Sequence, residues 1–337
     1  MPRQDPAGKD LTMGGLKPRT SMPYSTGGTN TLRADSNNSK TPIDVGIVVA
    51  LREEFRELLQ DIDYETTDDT EQLRTYYLFQ RPGTVTPYRI VATLVGDKGE
   101  QPAAIVTDRL VSFWAPETVV MLGIAGSLDD EDLRVGDVLV AKAVNSYMRD
   151  AKAVDATIGF EFRLGGAEFP VTPALVTRIQ NLEFQYPQAY SRWRSESVAQ
   201  FERLVKDETT RARLISERCV REQPCFVEGL LASGPAVSAA DAFRTWLKSH
   251  RDRNLKAIDE ESGGMMMAAE YRATRKNTLV LRGISDAGNV NKATIQQIGD
   301  GALRRYAMGT AVRLLWQFLE VGLLPRSMRS QGERANP

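Results

Sequence analysis

Two groups of acidic residues near the C-terminal end of the chain have the composition of a site for acid–base chemistry. Glu260 and Glu261 lie directly before a run of small residues and methionines, and the apolar segment 279–284 ends in Ser285 and Asp286. Ligand-binding residues in open α/β sheets follow the ends of strands, so Glu261 and Asp286 could reach one crevice. There, one acid could bind the hydroxyls of a sugar while the other protonates a departing base.

Because histidine and cysteine are scarce, acidic side chains are the main candidates for catalytic groups. The chain of 337 residues contains one histidine, His250, which argues against mechanisms that need a histidine base or histidine metal ligands. Two cysteines are too few for a disulfide framework or an ordinary zinc site. We therefore expect a site that works through Asp and Glu, without a metal or an organic cofactor.

Charge and hydropathy narrow the class of partner. The formal net charge of -1 gives no long-range attraction to nucleic acid or to an anionic membrane surface. No apolar run approaches the roughly 18 residues that a membrane-spanning helix needs, and the N-terminus lacks the apolar core of a signal peptide. These features predict a soluble, cytoplasmic protein whose partner is a small molecule, and not a nucleic acid or a membrane.

The chain divides into an arm, a folded domain and a tail. Residues 1–41 are rich in Gly, Ser, Thr, Asn and Pro, which predicts a disordered arm. From 42 to 325, apolar strands alternate with helices, and this order is typical of a three-layer α/β/α fold with a central mixed, largely parallel sheet. The charged segment at about 187–223 is predicted to be a helical insertion, either a surface pair of helices or a cap or oligomer contact. Residues 326–337 are predicted to be a flexible tail.

Five segments carry motifs in a fixed order along the chain. They are the strand and acidic helix start at 45–54, the glycine turn at 123–128 with its following strand, the strand at 229–234, the acidic motif at 258–261, and the motif at 282–286. In this order they resemble the nucleoside phosphorylase/nucleosidase superfamily, and in particular its 5′-methylthioadenosine/S-adenosylhomocysteine nucleosidase branch. One segment alone has little specificity, whereas five in order are fairly specific.

The resemblance implies a role for each acid. Glu54 falls where these nucleosidases hold the attacking water, and Glu261 falls where a carboxylate binds the ribose hydroxyls. Asp286 falls where an acid protonates N7 of a purine, and Ser285 would orient that acid. Such a set suits glycosidic cleavage, because carboxylates stabilise an oxocarbenium-like transition state and an apolar setting raises the pKa of a carboxyl group. The implied activity is hydrolysis of the N-glycosidic bond of a purine nucleoside or nucleotide.

Several positions depart from the family pattern and bear on the substrate. Ala236 and Val237 stand where the family's base pocket normally has an aspartate and an aromatic residue, and Glu260 stands where methionine is frequent. Lys98 lies in a charged loop at a position where the family has an apolar residue. A substrate with a polar 5′ group, such as a nucleotide, would suit that change.

These considerations define the predicted active site. Its catalytic residues are Glu54, Ser285 and Asp286. Its substrate-binding residues are Lys98, Gly123, Ile124, Gly126, Ala236, Val237, Glu260, Glu261 and Arg282.

Alternatives stay open on the sequence alone. Phosphorolysis would use the same acids, although Ile124 offers phosphate no hydroxyl and Glu54 would repel it. A module that senses a nucleotide without turnover would fit the altered base pocket. Glu54 could also simply complement a helix dipole, and the acids at 259–261 could cap a helix. Homodimers are common in the resembling family, so a homo-oligomer is expected.

Overall fold

The computed structural model describes residues 42–327, except for 70–72, 130, 156, 158, 237–239, 272–275 and 287–300. The predicted arm at 1–41 and most of the predicted tail therefore lie outside the described residues. The strands are β1 (Val45–Val49), β2 (Glu65–Asp69), β3 (Arg74–Arg81), β4 (Tyr88–Leu94), β5 (Thr118–Ser127), β6 (Val138–Ser146), β7 (Lys152–Asp155), β8 (Phe160–Arg163), β9 (Ala167–Pro170), β10 (Phe226–Ser233), β11 (Leu255–Asp259) and β12 (Asn277–Asp286). The helices are α1 (Arg52–Leu59), α2 (Glu100–Trp114), α3 (Pro173–Gln180), α4 (Leu182–Gln185), α5 (Pro187–Leu204), α6 (Glu208–Ser216), α7 (Asp241–His250), α8 (Ser262–Glu270) and α9 (Ala302–Glu320).

One large mixed sheet organises the domain and confirms the predicted fold class. Its strand order is β11-β10-β6-β12-β5-β1-β4-β3-β2, with β9 beside β6. Strands β4, β1, β5 and β12 run parallel to one another, as do β6, β10 and β11, whereas β6 and β12 are antiparallel. Parallel strands end at the same edge of a sheet, so β1, β5 and β12 deliver their following residues to one place.

The sheet also closes on itself where the acidic motif begins. Strand β11 pairs with the end of β5 in antiparallel fashion, with Ile258 opposite Gly126 and Ala257 opposite Ser127. Strands β5, β12, β6, β10 and β11 therefore form a closed ring. This ring holds the residues after β11 beside the ends of β5 and β12.

Helices cover both faces of the sheet, in the predicted three layers. On one face, Val106 and Leu110 of α2 pack with Met265 and Met266 of α8. On the other, α1, α5 and α9 share a core in which Trp193 is a fully buried member. The central strands read as continuous apolar runs because they are buried on both faces.

The contact between α2 and α8 explains the small residues after the acidic motif. A side chain on Gly264 would overlap the backbone carbonyl of Glu100, and one on Gly263 would overlap the Glu100 carboxylate. Glycine therefore lets α8 begin directly against α2. The close approach fixes the preceding acidic turn against the body of the domain.

The predicted helical insertion packs against the core of the domain. The predicted insertion contains α5 and α6, but Trp193 of α5 is buried and donates its indole N–H to the carbonyl of Thr310 at 3.0 Å. Helix α5 is thus part of the core and is more than a surface helix. None of the helices in the described part of the chain is long and apolar enough to cross a membrane.

Candidate active site

The three predicted key acids line one cavity of about 300 Å³ at the ends of β1, β5 and β12. Glu54 comes from α1, just after β1, and Asp286 is the last residue of β12. Glu261 follows β11 at the start of α8. The predicted residues that line this cavity are Glu54, Lys98, Ile124, Gly126, Ala236, Glu260, Glu261, Ser285 and Asp286.

Three predicted substrate-binding residues are not among those that line the cavity. Gly123 and Arg282 lie on β5 and β12 behind its wall. Val237 lies outside the described residues. Its neighbour Ala236 is held by the hydroxyl of Tyr147, which is 3.1 Å from both the amide nitrogen and the carbonyl oxygen of Ala236.

Glu54 is held rigidly by backbone donors. Its Oε1 accepts a hydrogen bond from the amide of Ile124 at 3.2 Å, and its Oε2 accepts one from the amide of Leu51 at 3.2 Å. Burial raises the pKa of Glu54, while Arg282 and the two amides oppose the shift. A buried carboxylate that has a raised pKa and a fixed orientation is a suitable proton acceptor.

Arg282 is the buried counter-ion of the site. Its side chain has 0% exposure, its Nη2 lies 2.5 Å from Oδ2 of Asp259, and the same Nη2 lies 3.7 Å from Oε2 of Glu261. Arg282 also donates to Oγ of Ser262 from Nε at 3.2 Å and from Nη2 at 2.9 Å, and Ser262 in turn donates to Asp259. The structure therefore gives Arg282 the position of a support for the acids, behind the cavity wall.

A glycine makes room for this arginine. A side chain on Gly123 would clash with Nη1 of Arg282, and its Cβ would also lie 3.5 Å from Oε1 of Glu54. The glycine predicted to bind substrate thus allows Arg282 to lie next to Glu54. Within the described part of the chain, Nη1 of Arg282 is a buried donor that has no hydrogen-bond acceptor.

Glu261 is buried in strongly negative surroundings. Burial raises its pKa from 4.5 to about 7; Asp259, Glu54 and Glu260 add to the shift, while Arg282 opposes it. At neutral pH the carboxyl group is therefore divided between its protonated and ionised forms. In either form its oxygens can accept hydrogen bonds from hydroxyl groups.

Ser285 and Asp286 form a pair at the end of β12. The Ser285 hydroxyl donates to Oδ2 of Asp286 at 2.9 Å and lies 3.3 Å from the carbonyl of Ala125. Both residues are buried. The serine thus restricts the orientation of the aspartate at the cavity wall.

Two cations at the cavity are each paired with an acid. Lys98, whose side chain is 57% exposed, lies 3.8 Å from Glu260, and Arg304 pairs with Glu53. Exposed pairs of this kind contribute little to stability. They place positive charge beside the cavity without giving it an uncompensated cationic surface.

Sequence reasoning missed five residues of the cavity wall. They are Leu51, Ala125, Ile258, Asp259 and Arg304. Four of these lie within three positions of a predicted residue in the sequence, and Asp259 is part of the acidic motif. Its carboxylate accepts a hydrogen bond from the amide of Ser262 at 3.3 Å, which is the cap-like role left open above, in addition to its ion pair with Arg282. Arg304 gave no local signal, because it reaches the site from the last helix.

The site's chemistry rests on carboxylates and one buried guanidinium. In the described part of the chain, no cluster of His, Cys, Asp and Glu has an arrangement that could hold a metal ion. The fold and the site together define an α/β domain with a carboxylate-lined pocket at the strand ends.

The chain belongs to the phosphorylase superfamily, whose family model matches residues 44–308. This match confirms the resemblance inferred from the five motifs. A curated relative, the 5′-methylthioadenosine/S-adenosylhomocysteine nucleosidase of Staphylococcus carnosus (strain TM300), is 30% identical over 115 residues. That alignment covers 34% of this chain and 47% of the relative, so the chain matches about half the length of the curated protein.

Solved structures share the fold over most of the chain. The futalosine hydrolase of Helicobacter pylori strain 26695 has a TM-score of 0.55 at 18% identity, covering 82% of this chain and 96% of that one. The Streptococcus pneumoniae 5′-methylthioadenosine/S-adenosylhomocysteine nucleosidase, solved with 8-aminoadenine, has a TM-score of 0.54 at 21% identity. That comparison covers 82% of this chain and 100% of the other. At these identities the likeness concerns the fold.

Proposed function

We propose that this chain hydrolyses the N-glycosidic bond of a purine nucleoside or nucleotide and releases the free base. The observation that carries the proposal is the meeting of Glu54, Glu261 and Asp286, from three separate parts of the chain, in one cavity of about 300 Å³. The names of the curated relative and of the solved structures, which are nucleosidases and a hydrolase, support the same reaction class.

Asp286 would act as the general acid. As the bond between C1′ and the base breaks, the bonding electrons move to the base, and protonated Asp286 would donate to N7 of the purine. The hydrogen bond from Ser285 keeps the aspartate in one orientation. A positioned acid of this kind typically contributes about 10²- to 10⁴-fold to the rate.

Glu54 would hold the water that attacks C1′ and accept its proton. The two backbone amides fix its carboxylate, and its raised pKa favours proton uptake. Arg282, behind the cavity wall, supports the ionised form of Glu54 through its positive charge. Hydroxide adds to the sugar as the base leaves, so one water is consumed for each base released.

Glu261 would bind the ribose hydroxyls. Its buried carboxyl group lies between Arg282 and the cavity, so the arginine limits the cost of its negative charge. The ionised form would also stabilise positive charge that develops on the sugar ring in the transition state.

The glycine turn favours hydrolysis over phosphorolysis, because its backbone donor already binds Glu54. The amide of Ile124, which could otherwise donate to a phosphate oxygen, donates to Glu54. Arg282, the cation next to Glu54, is paired with Asp259. A phosphate ion at the place of the attacking water would therefore meet the negative charge of Glu54.

The 5′ group of the substrate is proposed to be polar. Lys98 and Arg304 both line the cavity and could exchange their present partners for an anionic group. A nucleotide would provide such a group, and adenine is the proposed base because the named nucleosidases act on adenosine derivatives. A cytoplasmic location and a homo-oligomeric state stay predictions; light scattering on the purified chain would establish the latter.

The direct test is incubation with a panel of purine compounds, with and without phosphate, followed by chromatography for free base. Adenosine, methylthioadenosine, AMP, ATP, inosine and guanosine would separate the choice of base from that of the 5′ group. We expect base release without phosphate. Release that requires phosphate would make the chain a phosphorylase, and binding without release would favour a nucleotide sensor.

Substitution of the proposed acid ties the activity to this cavity. Asp286→Asn is expected to lower kcat by about 10²- to 10⁴-fold with little change in the unfolding midpoint. The matched control is Asp150→Asn, because Asp150 is exposed and its backbone has a φ of 57°, which asparagine tolerates well. Equal rates in both variants would remove Asp286 from the mechanism.

A further inference from the structure

A second cleft, of about 850 Å³, lies between the helical insertion and the loop that leads into β6. Its lining comes from α5, α6, Arg134 and the segment 220–223, and it shares no residue with the catalytic cavity. Clefts of this size accommodate small molecules. Neither the proposed reaction nor the family comparison gives it a role.

Three arginines line the cleft, and one of them is firmly paired. Arg221 donates from Nε to Oδ2 of Asp137 at 2.7 Å and from Nη2 to the carbonyl of Asp132 at 2.8 Å. Asp137 is fully buried, so this pair neutralises both charges. Arg221 is therefore part of the floor of the cleft. Because Asp137 is bound to Arg221, it does not pair with the guanidinium of Arg134 or of Arg194.

Arg134 and Arg194 have no such pairing. Among the described residues, neither guanidinium forms an ion pair or a hydrogen bond, and the Nε of each is enclosed by protein without an acceptor. Arg194 does lie over an aromatic ring, with its guanidinium carbon 5.4 Å from the ring centre of Tyr190. That contact orients the guanidinium but accepts none of its hydrogen bonds.

The surroundings disfavour the charge of Arg134. Burial lowers its pKa, and Arg221 and Arg218 lower it further by repulsion, while Asp137 and Cys225 oppose the shift. Two acids also line the cleft, Glu202 and Glu222, but they are exposed and pair with neither arginine within the described chain. An anion bound to the guanidinium groups in the cleft would offset this repulsion.

We propose that this cleft binds a phosphate-bearing small molecule of about nucleotide size. The planar, multiply donating guanidinium suits phosphate oxygens better than any other side chain does, and two of them here converge on one open volume. Arg134 and Arg194 bind the phosphate groups, and the apolar lining from Val198, Ile215 and Val220 contacts the rest of the molecule. The site is separate from the catalytic cavity and does not depend on the proposed hydrolysis.

The test is a calorimetric titration of the full chain with inorganic triphosphate, which lacks the base and sugar that the catalytic cavity would bind. The double variant Arg134→Gln/Arg194→Gln is expected to weaken binding by about 100-fold, roughly tenfold for each charged hydrogen-bonding group. Arg213→Gln changes an exposed residue of α6 outside the cleft; it removes one positive charge, as each single substitution in the cleft does, and should bind triphosphate as the original chain does.

The controls separate this site from others. Arg304→Gln, beside the catalytic cavity, should leave triphosphate affinity unchanged; loss of binding in that variant alone would overturn the proposal. Absence of binding to the original chain, or equal binding by the double variant, would overturn it as well. If the double variant fails to fold by circular dichroism, Arg134→Lys and Arg194→Lys replace it. Lysine keeps the positive charge but lacks the planar group of several N–H donors, so each lysine variant should weaken binding severalfold.

Discussion

Arg282 and Arg134 show opposite ways of placing an arginine inside one protein. Arg282 is fully buried, and burial alone would lower its pKa, yet Asp259, Glu261 and Glu54 together raise it. Arg134 is only partly buried, and its pKa is lowered because burial and two neighbouring arginines outweigh Asp137. The first arginine stabilises a group of acids, whereas the second is a charge that the surrounding protein does not compensate.

The comparison shows that the charges around an arginine decide whether it stabilises the fold or is available to bind a ligand. A buried ion pair is costly to break, because the remaining partner keeps its desolvation penalty. A cation without a protein partner contributes little to folding, but it retains its capacity to pair with a ligand. On this basis, Arg282 should matter to the stability of the fold, and Arg134 should matter to binding alone.

The largest expected effect comes from removing the buried counter-ion. Arg282→Met should lower the free energy of unfolding by about 3–5 kcal/mol, since Asp259 and Glu261 would be left buried without their cation. Urea denaturation would measure this loss. Arg282→Lys, which keeps the charge and loses the paired geometry, should recover part of it. A loss below about 1 kcal/mol in the methionine variant would contradict the assigned role.

The next effect concerns pH and Glu261. Its pKa is 4.5 ordinarily and about 7 in the folded protein, so between these values the folded state holds a proton that the unfolded state has lost. This contribution to stability is complete below pH 4.5 and disappears as the pH rises to about 7. At roughly 1.4 kcal/mol for each pKa unit, it amounts to about 3 kcal/mol.

Glu261→Gln tests that pH dependence. The variant cannot titrate at this position, so its free energy of unfolding should fall less between pH 4.5 and 7 than that of the original chain. Glu54 and Glu100, whose pKa values are also raised by burial, would maintain part of the slope in both proteins. Parallel pH profiles for the two proteins would show that Glu261 does not bind the extra proton.

The smallest effect is expected at Arg134. Arg134→Gln should change the free energy of unfolding by no more than about 0.5 kcal/mol. At low salt the substitution should raise the free energy of unfolding, because repulsion from Arg221 and Arg218 is removed. Thermal or urea unfolding at two salt concentrations would measure this. A loss comparable to that of Arg282→Met would remove the contrast between the two arginines.

Much of the fold and the meeting of the three acids could be predicted from the sequence. The continuous apolar runs of β1, β5 and β12 identify buried parallel strands. Glu54 follows β1, and Asp286 is the last residue of β12. Parallel strands must deliver such residues to a common edge. Local sequence and one topological rule were therefore sufficient for these positions.

Other features depend on packing between distant segments. Arg304 joins the cavity only because α9 lies against α1, where it pairs with Glu53. The supporting position of Arg282 depends on the space left by Gly123 on the neighbouring strand. Strand β8 could not be recognised either, because all four of its residues are exposed and it has no buried face. None of these relations leaves a pattern in the sequence close to the residue concerned.

The closed ring of strands has a consequence for motion in the site. Each of β5, β12, β6, β10 and β11 is hydrogen-bonded on two sides, and three of them, β5, β11 and β12, carry residues of the cavity. Backbone amides in such a ring exchange with solvent only through openings that approach global unfolding. Ser285 and Asp286, which end β12, are therefore expected to keep fixed positions through the proposed reaction.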